Sequence, residues 1–357
     1  MADGTDSSQL KTSRPTFHVD GQAQPTLTGG LLLLRIAENT QGLYRCEATF
    51  GNWGPSGGGT GFLYFDRRML DFGKPFQVRL GQAVLFDGRI TALEARFPEA
   101  SPPELTVLAE DRLQELRMTR RTQTYEGLSD AAVIEEVARR HSLTAQVDVR
   151  GPTYKVLAQV NQSDLAFLRE RCRTLDAELW VEGSTLHAQT HEKRAGTPLV
   201  LGYHNELREF SVLADLAGQR SEVMVGGWDV RGKEALKHVA TDSVLGAELD
   251  GGLSGASVLG SALGERKEVL VHTVPLNSDE ARARAETFFR LSARRFLVGR
   301  GIAEPNPRLR AGARVELRGL GQLFSGKYYL TDVTVSFDGT RGLRTEFVGE
   351  RPGLGKE

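Results

Sequence analysis

His187 and His191 stand four residues apart, the spacing at which two imidazoles on one helical turn converge on a metal ion. The stretch Thr185–Gln189 alternates like a strand, so the two rings flank a strand end, and no His-Glu-x-x-His run is present. The seven histidines have no cysteine pair beside them, and two cysteines, Cys46 and Cys172, make neither a four-ligand zinc set nor a disulfide framework. The small-residue run GASVLGSALG at 255–264 lacks the Gly-x-Ser-x-Gly spacing of a nucleophile elbow. GNWGPSGGGTG at 51–61 lacks the Lys-Ser/Thr ending of a phosphate loop and reads as a surface loop. Adjacent carboxylates recur, as in Glu110-Asp111 and Glu135-Glu136. Glycoside hydrolysis needs two carboxyls facing across a cleft, and these pairs read as solvated surface. Arg117, Arg120 and Arg121 form the best basic patch; it reads as solvated strand surface, with an inter-subunit ion pair or a polyanion contact as the alternative. No catalytic, cofactor-binding or metal residue is assigned, and no cofactor is expected.

The elements that carry these residues are mostly strands. Forty glycines in 357 residues sit between short alternating segments, which suits turns and bulges better than helices. In Tyr44–Phe50, residues Tyr44, Cys46, Ala48 and Phe50 share one face, and Arg45, Glu47 and Thr49 the other, predicting a half-buried strand with Cys46 in the core. Gln77–Leu80, Val84–Ile90, Thr91–Phe97 and Leu105–Ala109 continue the pattern, and Asp87-Gly88 predicts a hairpin turn. Ser129 is placed to cap a helix with Val133, Ile134, Val137, Ala138 and His141 on one stripe. Ser163 is placed to cap a second, with Leu165, Leu168, Cys172 and Leu175 inward. Glu178–Val181 and Thr185–Gln189 read as a strand pair, 198–240 as strands including Val223, Val225 and Trp228, and 246–264 as a loop. Ser278 is expected to cap a longer helix burying Ala281, Ala285, Phe288, Phe289, Leu291 and Phe296, with Asp279 and Glu280 at its positive end.

A weak internal repeat organises the chain. VRL (78–80), LFDG (85–88), ITALEARF (90–97) and LTVLAEDR (105–112) recur in the same order as VEL (315–317), LFSG (323–326), YLTDVTVSF (329–337) and LRTEFVGER (343–351). The expected fold class is a β-rich α+β protein with two similar antiparallel β-barrel modules, a small α+β insert and a long helix. The expected domains are a tail at 1–14, a first barrel at 15–111, the insert at 112–195, a discontinuous second barrel at 196–240 and 300–351, a loop-and-helix insertion at 241–299 and a tail at 352–357. Closing each sheet would remove adhesive strand edges.

The stretch LAEDRLQELRMTRRTQTYEGLSDAAVIEEVARRHSL (108–143) resembles the phage late-control D family of baseplate hub proteins, and so does QVNQSDLAFLRERCRTLDAELWVEGSTLHAQ at 159–189. The family's helix-opening pattern is met by Gln159, Ser163, Asp164, Phe167, Leu168 and Arg171, and the ending AGARVELRGLGQLFSGKYYLTDVTVSFDG is similar to its last barrel. The same architecture forms the N-terminal half of VgrG spike proteins of type VI secretion. The resemblance spans roughly residues 15–351 and implies a non-enzymatic homotrimer. Two barrels taken three times mimic six units, joining the hexameric tail tube to a trimeric spike, with baseplate wedge or sheath-initiating proteins as further partners. A single sheet system, or two unrelated ones, would take away the adapter argument drawn from this pair of barrels and the family assignment with it. The helices at 129–141 and 278–297 are candidates for packing across subunits. VgrG proteins continue into an OB-fold and a β-helical needle, whereas this sequence stops at Glu357, so the expected spike is a separate polypeptide. The expected location is the tail baseplate of a phage or injection particle made in the bacterial cytoplasm.

A net charge of −1 gives no basic excess for dedicated nucleic-acid binding, and no run of eighteen apolar residues is present to span a membrane. Two other functions fit a β-rich chain: a tail-tip peptidoglycan hydrolase, or a carbohydrate- or protein-binding β-protein acting alone. The first lacks a catalytic constellation. For the second, aromatic content is 7% and Trp53, Trp180 and Trp228 are dispersed in sequence.

Overall fold

A computed structural model of the chain describes residues 14–229, 232–271, 275 and 277–355; positions 1–13 of the expected N-terminal tail and 356–357 of the C-terminal one lie outside the described residues. The fold is β-rich α+β, with large antiparallel sheets. Ten strands carry the repeat. The first five are β1 (Leu31–Asn39), β2 (Arg45–Gly51), β3 (Pro75–Leu80), β4 (Ala83–Arg96) and β5 (Glu104–Glu110). The second five are β6 (Leu207–Ala214), β7 (Leu297–Ala303), β8 (Arg314–Arg318), β9 (Gly326–Asp338) and β10 (Gly342–Arg351).

The two sets have one topology. The order β1-β2-β5-β4-β3 repeats as β6-β7-β10-β9-β8. Ile90 faces Ala109 as Leu330 faces Gly349, and both ladders then slip by one residue, at Thr91 and Thr331. Each bulged threonine donates its hydroxyl to the carbonyl across the ladder, Thr91 to Leu108 at 3.3 Å and Thr331 to Val348 at 3.4 Å. A second bulge recurs between Leu31 and Leu33 and between Leu207 and Glu209. Bulges re-aim strands and are specific features rather than accidents of pairing. Shared bulges at shared positions therefore identify one module built twice.

Among the described residues the strands do not close into barrels. All ten strands belong to one 13-stranded sheet that also takes in Thr16–Val19, Gln22–Ala23 and Leu199–Gly202. The outer edge of β1, which would have to return to its own module, pairs instead with β9 of the second module, Asp332 facing Asn39 and Phe337 facing Leu34. The expected pair of closed sheets is thus corrected to two open modules joined edge to edge. Two repeat pieces also shift. Phe76-Gln77-Val78, not Val78-Arg79-Leu80, is the partner of Val315-Glu316-Leu317, because Val78 faces Phe86 where Leu317 faces Gly326. LFSG enters a short helical turn at Gly321–Phe324, whereas LFDG lies within β4.

Asp87-Gly88 is not a turn; β4 runs straight through it, and the hairpin closes at Gly81-Gln82. A Cβ at Gly88 would collide with the Glu110 carbonyl, so this glycine serves close approach of β4 to β5 rather than a positive φ. Residues 51–61 also differ from the expected loop, forming a small hairpin of Gly54–Ser56 with Gly59–Gly61.

Between the modules lies a compact α+β unit. Helix α1 (Asp130–Arg140) is capped by Ser129, whose hydroxyl accepts the Ala132 N–H; α2 (Asp164–Thr174) is capped by Ser163 through the Ala166 N–H. Val133, Ile134, Val137 and Ala138 meet Leu165, Leu168 and Cys172 in one apolar cluster, over a sheet that includes Ala177–Glu182 and Thr185–Thr190. Residues 222–229 and 234–240 do not enter the large sheet. They pair with each other, and residues 222–225 pair also with Lys267–Leu270; α4 (Ser278–Arg294) packs on the two segments through Ala281, Ala285 and Phe289. Its cap is Asn277, one residue before the expected Ser278, and Leu291 turns outward. Within 246–264 the expected loop contains α3 (Gly255–Leu263), capped by the Ser254 hydroxyl, with Leu259 buried.

Candidate assembly surface

The residues that looked chemical are engaged in holding the fold. His187 stacks on Trp180, ring centroids 4.8 Å apart, while His191 packs on Tyr329 at 3.6 Å; the two imidazoles serve different neighbours. Among the described residues, no three His, Cys, Asp or Glu side chains are placed to hold a metal ion. Arg117 pairs with Glu110 at 2.6 Å, Arg120 donates to the Asn161 carbonyl, and Arg121 pairs with Asp164 at 3.2 Å, so the basic cluster is divided among three partners. Cys46 and Cys172 are buried and free, and burial pushes the Cys172 thiol up to about 12. Glu136 is engaged by Arg140 and Gln123. The apolar stripes of α1 and α4, candidates for contacts between subunits, are covered within the chain.

The motif behind the resemblance is a clamp. Gln159 is fully buried; its amide donates to Asp164 at 2.9 Å, and its carbonyl accepts the Tyr125 hydroxyl. Phe167 stacks on Tyr125. Burial raises the Asp164 carboxyl, but hydrogen bonds from Gln159 and His141 and the charges of Arg140 and Arg121 more than reverse this, leaving it below its ordinary value. Arg171 closes the other side, donating to Asp130 at 2.6 Å and to the Tyr154 hydroxyl at 2.5 Å. These residues brace the two helix starts: the helix-opening Asp at each N-terminus is neutralised by arginine from elsewhere in the unit.

A charged seam ties this unit to both modules. Arg194 donates to Glu178 (2.8 Å), to the Tyr44 hydroxyl and the Ala311 carbonyl (each 2.6 Å), and lies 4.1 Å over the Trp180 ring. Gly312 makes the passage possible: with φ at +89° it adopts the left-handed conformation, and a Cβ there would strike the Arg194 side chain. Arg294 lies on the same seam, engaged by Asp176 and Glu248.

Asp111 sits where β5 leaves the first module, accepting backbone N–H groups from Tyr44 and Leu113, both at 2.9 Å. Burial pushes its carboxyl up to about 7 against those two bonds. A carboxyl raised on folding contributes stability at low pH that is lost as pH rises through the folded value. Unfolding by urea at pH 5 and pH 8 should show this fall, at most about 1.4 kcal/mol per pH unit. Asp111→Asn should flatten it, and an unchanged slope in the variant would refute the assignment.

What remains open to a partner is strand edge and aromatic surface. Among the described residues, the outer edge of β4 beyond Thr91 has no strand partner, and β6 ends the sheet on the other side. Beside the β4 edge lies an aromatic group. Trp53 meets Phe62 edge-on at 5.3 Å, Phe62 meets Phe65 at 4.9 Å, and Phe97 meets both. Trp53, Phe62 and Phe97 are exposed, and contiguous exposed aromatics mark contact surfaces. Sequence reading missed this group because its members come from three segments; the Trp and Phe flanking the glycine-rich 54–61 hairpin were its only local signal. Among the described residues, no helix is long and apolar enough to cross a membrane.

The sequence matches the family described as the Alg8 N-terminal domain over residues 73–338; no curated protein matches it. Among solved structures, the 43 kDa tail protein of prophage MuSo2 from Shewanella oneidensis superposes with a TM-score of 0.71 at 10% identity, covering 96% of this chain and 99% of that one. A tail protein from Neisseria meningitidis MC58 gives 0.69 at 13% identity, with 96% and 97% covered. An E. coli type VI secretion component, similar to the T4 tail proteins gp27 and gp5, gives 0.55 at 12% identity, covering 96% and 79%. The chain therefore shares the fold of phage tail and type VI secretion proteins.

Proposed function

The chain belongs to the family of the Alg8 N-terminal domain; from its internal repeat and the tail-protein fold it shares we propose that it is a structural, non-enzymatic subunit: the baseplate hub of a contractile tail or injection system, of the late-control D type. The observation that carries the reading is the doubled module with its two shared bulges. One chain offers two near-equivalent surfaces, and three chains in a closed ring offer six. Such a ring meets a hexameric tube on one face and a trimeric spike on the other. The tail-protein fold of its structural neighbours supports this use. The chain holds one open sheet where two closed ones are expected, which removes closure as a ground for the adapter; equivalence of the two modules within that sheet is the ground that remains.

Native mass spectrometry and electron microscopy of the assembled particle test the proposal. A three-chain ring between tube and spike is the expected result, and a single copy in the assembled particle would overturn it. The exposed Trp53–Phe62–Phe97 group favours one second reading, a carbohydrate-binding β-protein acting alone. Specific glycan binding by an isolated chain that does not enter particles would select that reading.

A further inference from the structure

The join between the two modules inside the chain is a template for a join between chains. β9 pairs through its C-terminal half with β1, placing Val333, Val335 and Phe337 against Glu38, Ile36 and Leu34. By the shared registers, β4 is the equivalent of β9 and β6 is the equivalent of β1. Among the described residues, both equivalents have the corresponding edge without a strand partner. We propose that the β4 edge of one copy pairs antiparallel with the β6 edge of a second copy, so that Leu93, Ala95 and Phe97 face Ala214, Val212 and Phe210, and Glu94 faces Leu213. The proposal deepens the hub reading and rests on it only for closure at three copies.

Burial supports the assignment. Phe337, covered by the internal join, is 7% exposed, whereas its counterpart Phe97 is 64% exposed. Val335 is buried and its counterpart Ala95 exposed; Ile36 is buried and its counterpart Val212 half-buried. Leu213 on β6 is 65% exposed. The same alternation is thus satisfied in one place and unsatisfied in the other, as expected where one strand is missing on each side. Uncovered edges carrying apolar side chains favour strand addition. The two edges differ from one another, so the contact is head-to-tail, the kind that builds rings or filaments rather than two-fold dimers. The aromatic group around Phe97 widens the apolar area on the β4 side.

Cysteine cross-linking of the full chain tests the register. Glu94→Cys and Leu213→Cys chains, purified separately, are oxidised with copper phenanthroline alone and mixed. Directly opposed residues on paired strands are close enough for a disulfide, and both positions are exposed, while the natural Cys46 and Cys172 are buried. A two-chain product only in the mixture is expected, and a ladder ending at three chains for the double variant. Glu94→Cys with Ser211→Cys, displaced by two residues, should give several-fold less product. Three chains by native mass spectrometry without the 94–213 link would overturn the edge pairing and leave the ring standing. A link whose ladder stops at two chains or runs past three would uphold the edge and overturn the three-copy ring. Single chains with no link would overturn both.

Discussion

Arg294→Met should lower the unfolding free energy by about 3–5 kcal/mol, the cost of leaving a buried charge without its partner. Arg294 is 5% exposed by side chain and engages two carboxylates at once, Asp176 through both terminal nitrogens and Glu248 through Nε at 2.7 Å and Nη2 at 2.8 Å. Asp176 and Glu248 are themselves largely shielded, so removing the guanidinium strands two negative groups in a poorly solvated seam. The methionine keeps much of the apolar stem and isolates the charge. Urea unfolding at neutral pH reads the loss. Adding Asp176→Asn and Glu248→Gln to Arg294→Met should recover part of it, because the stranded charges are then gone. A single variant within about 0.5 kcal/mol of the parent, the range of ordinary surface changes, would mean the seam is well hydrated.

The second large effect is expected in the first module. Phe50 is fully buried, its ring meeting Phe17 edge-on at 5.0 Å and Tyr64 at 6.3 Å. Phe50→Ala should cost about 3–5 kcal/mol through lost transfer energy and the cavity left behind. Phe97→Ala makes the contrast: at 64% exposure it should change the stability of the separated chain little, while weakening association between chains. Equal destabilisation of the separated chain by both variants, measured by thermal unfolding, would mean that Phe97 already belongs to the core of a single chain.

The contrast between Phe50 and Phe97 turns on which alternating strand finds a neighbour, and this is where sequence reading succeeds and fails. Period two places Tyr44, Cys46, Ala48 and Phe50 inward, and they are buried. The residues following Ser129 and Ser163 mark both as caps, and they cap α1 and α2. Those are local decisions, made within a few residues of chain. Asp87-Gly88 misled because the turn signature and the close-approach role select the same residue; only the Glu110 carbonyl across the ladder separates them. The glycine- and serine-rich 246–264 segment read as a loop, yet Ser254 caps α3 and Leu259 anchors it in the core. The clamp around Asp164 was legible as a motif but not as a role, since its arginines arrive from Arg121 and Arg140, outside the helix that carries it.

By itself the sequence determined that the chain would be strand-rich, that a module would occur twice, and which side of the Tyr44–Phe50 strand would face inward. Each of these follows from backbone geometry that repeats every two residues or from turns a few residues long. The tertiary structure decided that the copies would share one open sheet, that β1 would take β9 as its neighbour, and that Phe337 would be covered while Phe97 would not. Alternation tells a strand which face to bury but carries no information about which edge it will meet. That choice is made by contacts between residues hundreds of positions apart, here by the β9 ladder that reaches back across the chain to Leu34 and Ile36.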